Sequence, residues 1–194
     1  LVSQVSIKEK QVFGNGKYKI VLIDCGVKYN IVRNLIKRDA TVIMVPWDYD
    51  FSNEQFDGLF ISNGPGDPKQ CETTIENLKN AYQNDRPIYG ICLGNQLMAL
   101  ASGADTYNQP VIQVGTKNAY ITSQNHGYAT DNDTLPKEWE PLFINLNDNT
   151  NEGIKHKSKP FFSSQFHPEA SSGPTDTEFL FDMFMETVKK YAGN

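Results

Sequence analysis

Cysteine and histidine are both scarce, at three each in 194 residues. Cys25, Cys71 and Cys92 form no Cys-x-x-Cys pair. So odd and sparse a set argues against a disulfide framework or a zinc knuckle, and suggests a reducing compartment. No metal site is expected. Long apolar runs are missing too. None approaches the roughly 20 residues of a membrane span, so no membrane partner is expected. There is no excess of basic charge: 18 Lys and Arg stand against 23 Asp and Glu, a formal net charge of −5. Without a long basic run, nucleic acid and anionic membranes are poor partners. No internal repeat or low-complexity tract occurs. The chain starts at Leu1, with neither an initiator Met nor a signal peptide, and is expected to be a piece of something longer.

Strands and helices alternate through the first half of the chain. Residues 1–17 are polar, turn at Gly14-Asn15-Gly16, and are expected to be an entry arm or linker before one domain over 18–194. Apolar runs predict strands over 18–24, 41–45, 58–62 and 88–91, with helices over 27–38 and 75–84 between them. This alternation implies βαβ units, a mostly parallel doubly wound sheet of the flavodoxin-like kind, and a site at the carboxyl ends of its strands. After Gly103 the runs shorten and are split by Gly, Asn and Asp. Those over 111–114, 119–122, 142–145, 152–154 and 161–166 predict hairpins and added antiparallel strands. A last helix is expected over 176–191, with Phe179, Leu180, Met183, Phe184 and Val188 on its apolar face. Thr175 and Glu178 have the spacing of a capping box.

One stretch organises the rest. Ile88-Tyr89-Gly90-Ile91 reads as a buried strand, and Gln96 to Ser102 reads as a helix. Cys92 lies at the join, with Gly90 and Gly94 two residues to either side. A strand that turns abruptly into a helix strains its corner residue, and flanking glycines remove the side chains that would clash there. This is a nucleophile elbow with sulfur in place of oxygen. Its thiol would stand above the sheet at a helix N-terminus, where N–H groups and the dipole favour a thiolate. The bland alternative is a small apolar side chain in a turn.

A cysteine nucleophile needs a base, and the base needs an orienting group. Of the three histidines, His167 follows an apolar strand in Phe166-His167-Pro168-Glu169. Pro168 stiffens the exit, and Glu169 is close enough to reach the ring and select its tautomer. His126 lies in the polar stretch Gln124-Asn125-His126-Gly127-Tyr128, and His156 stands between two lysines. Ser62-Asn63-Gly64-Pro65-Gly66-Asp67-Pro68 follows the third strand. It is a stiff loop with bare N–H groups, readable as an oxyanion hole or as an ordinary tight turn.

Gly-Ile-Cys-Leu-Gly-Asn-Gln, Ser-Asn-Gly-Pro-Gly-Asp-Pro, Gln-Asn-His-Gly-Tyr and Gln-Phe-His-Pro-Glu occur here in one order. Together they resemble the class I (triad) glutamine amidotransferases. The resemblance is nearest to the glutaminase domain of carbamoyl-phosphate synthetase, through Asp24 to Asn30, Val45 to Asp50 and Asn149 to Gly153. It implies a triad of Cys92 as nucleophile, His167 as base and then acid, and Glu169 as orienter. It further implies that Gly64, Gly66 and the Leu93 backbone hold substrate and oxyanion, and that Gln96, Asn125, Gly127 and Tyr128 grip L-glutamine. Ammonia would pass to a carbamoyl-phosphate synthetase domain or subunit that uses ATP and magnesium; this domain itself would need no cofactor. A cytoplasmic or mitochondrial setting in pyrimidine or arginine synthesis is implied as well.

Three departures stand out. Asn95 occupies a position where many glutamine-using members carry His. Between Tyr107 and Asn108 the family usually has about nine more residues, the size of an ordinary surface-loop deletion. The family's N-terminal domain, with a serine that helps bind glutamine, is also absent. The resemblance therefore carries an alternative, a weak or inactive domain kept for regulation or structure in an ammonia-dependent synthetase. A cysteine hydrolase or chaperone-like relative would share the elbow without needing the glutamine-gripping motifs.

Overall fold

A computed structural model describes residues 1–107, 129–145, 149–170 and 177–192. In chain order the elements are α1 (Val2–Val5), β1 (Gln11–Phe13), β2 (Tyr18–Asp24), α2 (Tyr29–Lys37), β3 (Ala40–Pro46), β4 (Gly58–Ile61), α3 (Glu72–Ala81), β5 (Ile88–Ile91), α4 (Leu93–Ser102), β6 (Thr106–Tyr107), β7 (Ala129–Thr130), β8 (Trp139–Ile144), β9 (Asn151–His156), β10 (Phe161–Ser164) and α5 (Phe179–Tyr191). The runs expected at 111–114 and 119–122, and Thr175 of the expected capping box, lie outside the described residues. Among the described residues, no helix is long and apolar enough to cross a membrane.

The strands form one sheet in the order β1-β3-β2-β4-β5-β10-β9-β7-β6, with β8 added alongside β9. Strands β3, β2, β4, β5 and β10 run parallel, and β1, β9, β7 and β6 extend the edges antiparallel. Two placements differ from the sequence expectation. The run that forms β10 is expected among the antiparallel strands, yet it lies parallel to β5, with Phe161 opposite Ile88 and Ser164 opposite Ile91. All four of its residues are buried, as befits a strand covered on both faces. Antiparallel pairing also occurs at the other edge, where β1 in the polar N-terminal arm pairs with β3. The arm is tied in further by Asp24, whose Oδ2 accepts from the Ile7 N–H, and by Ser6, whose Oγ accepts from the Trp47 N–H.

Alternation along the central strands splits the core in two. Val21, Ile23, Leu59, Ile61 and Ile88 face one side, packed with Leu78 of α3 and Leu97 of α4. Ile20, Leu22, Phe60, Tyr89 and Ile91 face the other, packed with Ile31 and Leu35 of α2 and Leu180, Phe181, Phe184 and Val188 of α5. Phe181 belongs to this face although the expected apolar stripe omits it, and Phe60 stacks on it at 5.9 Å.

α4 begins at Leu93, immediately after the strand, rather than at Gln96. Only glycine permits so tight a join. A Cβ on Gly90 would stand 2.7 Å from the Gly94 carbonyl, and one on Gly94 would stand 2.4 Å from the Ile61 carbonyl oxygen. Backbone cannot retreat from such contacts as a flexible side chain can. Gly94→Ala is therefore expected to cost about 3 kcal/mol and to lower the melting temperature by about 10 °C. Scanning calorimetry tests this, and an unchanged melting temperature would refute the close-approach argument.

Candidate active site

Four connections converge at the carboxyl edge of the parallel sheet. They follow β2 (Cys25 to Lys28), β4 (Ser62 to Asp67), β5 (Cys92) and β10 (Gln165 to Glu169). In an open α/β sheet this edge is where helix N-termini and loops leave room for a ligand.

Cys92 holds the strained corner, with φ +54° and ψ −106°. A side-chain-bearing residue at positive φ is held there only by its surroundings. Here its N–H donates to the Ser164 carbonyl at 2.8 Å, and its carbonyl accepts from the Gln96 N–H at the start of α4. Ser164 lies three residues before His167. The backbone that carries the thiol is thus bonded to the strand that carries the imidazole.

His167 Nδ1 lies 2.6 Å from Glu169 Oε1, which leaves Nε2 outside that bond. All three residues are nearly buried, with Cys92 and His167 at 5 % exposure and Glu169 at 2 %. Burial alone would push the imidazole toward its neutral form. The bond to Glu169 and its negative charge, with the nearby Cys92 side chain, outweigh it and raise the ring's pKa to about 9. Burial likewise resists the Glu169 carboxylate. The His167 bond and charge, with Lys28, overcome that and hold its pKa below the usual carboxylate value. Ionised Glu169 and protonated His167 thus favour one another.

The loop after β4 lies against the elbow. Asn63 Oδ1 accepts from the Lys28 N–H at 3.0 Å, and Asn63 Nδ2 donates to the Gly26 carbonyl. Gly64 packs so closely that a Cβ would meet the Cys25 carbonyl oxygen at 2.1 Å and the Leu93 side chain at 2.8 Å. Gly66, at φ +98°, faces Leu1 instead. Leu93 opens α4 beside Cys92.

Gln96 and Asn95 turn into a buried amide network. Gln165 Oε1 accepts from Asn95 Nδ2 at 2.8 Å and from Gln96 Nε2 at 3.2 Å. Asn95 Oδ1 accepts from Ser163 Oγ at 2.7 Å. Asn95 thus serves as donor and acceptor at once, bridging α4 to the strand that leads to His167. Asn125, Gly127 and Tyr128, with His126, lie outside the described residues. His156 is engaged elsewhere: its ring accepts from the Lys159 N–H and packs on Trp139. Among the described residues, no group of three or more His, Cys, Asp or Glu side chains is placed to hold a metal ion.

Two contacts go beyond what sequence reasoning finds. Lys28 Nζ stands 3.4 Å from Glu169 Oε1, and Asn30 Nδ2 donates to the Glu169 carbonyl. Only the place of both residues in Asp24 to Asn30, a stretch marked by resemblance, points to them in advance.

The family model described as "Glutamine amidotransferase class-I" matches residues 21–187. The mitochondrial carbamoyl-phosphate synthase [ammonia] of Aquarana catesbeiana is 53% identical over 205 residues, which span all of this chain and 14% of that protein. The arginine-specific small chain of carbamoyl phosphate synthase from Saccharomyces cerevisiae is 49% identical over 98% of this chain and 51% of its own length. The chain thus spans from about a seventh to half of these relatives. In fold, it matches a glutamine amidotransferase of Thermotoga maritima with a TM-score of 0.66 at 15% identity, covering 91% of this chain and 92% of that one. The match of the family model across most of the sequence establishes that this chain belongs to the class I glutamine amidotransferase family.

Proposed function

We propose that the chain hydrolyses the side-chain amide of L-glutamine and that the ammonia serves carbamoyl phosphate synthesis on a synthetase domain or subunit. The observation that carries the first part is the His167–Glu169 pair, bonded at 2.6 Å, on the segment whose Ser164 carbonyl accepts from the Cys92 N–H at the carboxyl edge of the sheet. Cys92 Sγ attacks the amide carbon, and the C–N bond breaks as His167 passes a proton to the leaving nitrogen. Ammonia departs and a thioester remains. Water then attacks with His167 as base, glutamate leaves, and the thiol is restored. Glu169 keeps Nδ1 protonated and in plane throughout. The Leu93 N–H, next in the chain to the nucleophile, would serve as an oxyanion donor together with the loop of Gly64, which packs on the Leu93 side chain, and Gly66, which faces Leu1. Asn125, Gly127 and Tyr128 complete the glutamine grip. The synthetase, with its ATP and magnesium, is proposed from the relatives' names, since this chain spans only part of them.

A second reading has a specific observation in its favour. Relatives from Aquarana catesbeiana and Mus musculus at 53% and 51% identity carry "ammonia" in their names. Under that reading the domain releases none itself and is kept for structure or regulation. Ammonia release from glutamine, measured on the chain alone and with the synthetase and ATP, separates the two. Slow release alone and faster release with the partner is expected, because a partner that closes loops completes such sites. No release in either state from folded protein would leave the second reading.

A further inference from the structure

Three consecutive residues on the way from β10 to His167 each bond to the elbow that carries Cys92. One of them, Gln165, has no part in the reaction as written above. We propose that Gln165 is a positioning residue whose buried amide ties the first turn of α4 to the histidine's segment and so holds the thiol in place for the imidazole. The inference rests on the amidotransferase reading for its consequence in turnover, but on hydrogen-bond geometry for its substance.

Ser163 Oγ donates to Asn95 Oδ1 at 2.7 Å. The Ser164 carbonyl accepts from the Cys92 N–H at 2.8 Å. Gln165 Oε1 accepts from Asn95 Nδ2 at 2.8 Å and from Gln96 Nε2 at 3.2 Å. The corner is thus held on both sides. Its own N–H is fixed by Ser164, and the helical turn that follows it is fixed by Gln165. Asn95, Ser163 and Gln165 are fully buried, and Gln96 is nearly so. The segment is itself anchored on its far side by β9. The Gln165 N–H donates to the Glu152 carbonyl at 2.8 Å, and Ser163 Oγ accepts from the Ile154 N–H at 3.2 Å. The elbow is therefore tied to a strand that cannot shift freely.

This tie answers a specific need. At φ +54° and ψ −106°, Cys92 occupies a backbone state that it would leave if its surroundings let go. Its side chain makes no capping bond to α4, and the first bond of the helix, from the Gln96 N–H to the Cys92 carbonyl, is 3.2 Å long. The glycines that let the corner form also leave it free to relax. An amide oxygen that accepts two bonds at once, away from water, removes that freedom. Breaking them would leave two buried donors unanswered. Gln165 Nε2 meets no partner among the described residues, so the acceptor end of this amide is the end the elbow uses. His167 follows two residues later. A base and nucleophile misplaced by about 1 Å can lose about a hundredfold in rate.

The test compares Gln165→Met, Gln165→Glu and Ser163→Ala with the unaltered full chain. Methionine fills the same space without an acceptor. Glutamate keeps the acceptor and drops the unanswered donor. Ser163→Ala removes only the bond to Asn95, and it decides the matter should Gln165→Met fail to fold. Two readouts are taken on folded protein: alkylation of Cys92 by iodoacetamide at fixed pH, located by peptide mass mapping, and steady-state glutamine turnover. Alkylation consumes the thiolate that the imidazole supports and involves no glutamine. It therefore separates a misplaced thiol from a weakened substrate grip at Gln96. Gln165→Met is expected to slow alkylation about tenfold and to lower kcat about thirtyfold. Ser163→Ala should lower each about threefold, and Gln165→Glu should keep most of both. Unchanged alkylation in the folded variants, with any loss confined to stability or KM, would overturn the proposal, as would a Gln165→Glu chain no better than Gln165→Met. Slowed alkylation in Gln165→Met, in a chain whose unaltered form releases no ammonia, would leave the tie in place and remove the glutaminase reading instead.

Discussion

Cys92→Ser is expected to abolish ammonia release from glutamine, by at least about a thousandfold, while leaving the fold intact. The corner at φ +54° would persist, because its N–H still reaches the Ser164 carbonyl and Gly90 and Gly94 still allow the helix to close on the sheet. A hydroxyl is nearly the size of a thiol but has no anion accessible near neutral pH. The pair behind it, built to stabilise a thiolate–imidazolium arrangement, would have nothing to activate. Steady-state ammonia assays beside circular dichroism and calorimetry check this. Turnover retained within about tenfold would mean that the sulfur is not the nucleophile and would sink the proposed reaction.

The second large effect is expected at Glu169. Glu169→Gln keeps the shape but replaces the acceptor that fixes the ring. An amide nitrogen turned toward Nδ1 would select the wrong tautomer and give up the charge that stabilises the imidazolium. A fall in kcat of about a hundredfold or more should follow, with a smaller effect on KM. The same change makes a signed statement about stability. Glu169, held below the ordinary glutamate value of 4.5, contributes stability that is present above about pH 4.5 and lost as pH falls through its lower native value. His167, raised from 6.5 to about 9, contributes stability that is complete below pH 6.5 and lost as pH climbs toward 9. Both contributions are whole only between about pH 4.5 and 6.5. The gap in melting temperature between the unaltered chain and Glu169→Gln should be widest there and should close on going to about pH 9. A gap that grows with pH across that range would contradict the charge assignment.

The elbow is legible because three local facts coincide in a few residues: a buried strand, a helical repeat, and glycines at fixed distances from one cysteine. The structure adds why the glycines are needed, namely carbonyl contacts at 2.4 and 2.7 Å that leave no room for a side chain. The parallel units of the first half are readable from period and length. β10 is not. Phe161–Ser164 is a short apolar run among short runs, and nothing within it states whether its neighbour runs with it or against it. The polar arm reads as a connection rather than a pairing strand, because β1 has only three residues, of which Gln11 and Val12 are exposed.

The sequence by itself determined the alternating parallel architecture, the corner that presents Cys92, and the closeness of His167 to Glu169, since a spacing of two residues decides that pair. It also carried the family likeness. Tertiary structure alone decided that β10 lies directly beside β5, which bonds the cysteine's backbone to the histidine's strand. It alone turned Asn95 and Gln96 inward to Gln165, and brought Lys28 to His167 and Asn30 to Glu169, each pair 139 residues apart in the chain. The physical reason is one of range. Backbone sterics and hydrophobic period act over a few residues and can be read along a chain. The order of strands in a sheet is set by which apolar faces bury together, and each contact made across that order depends on the whole.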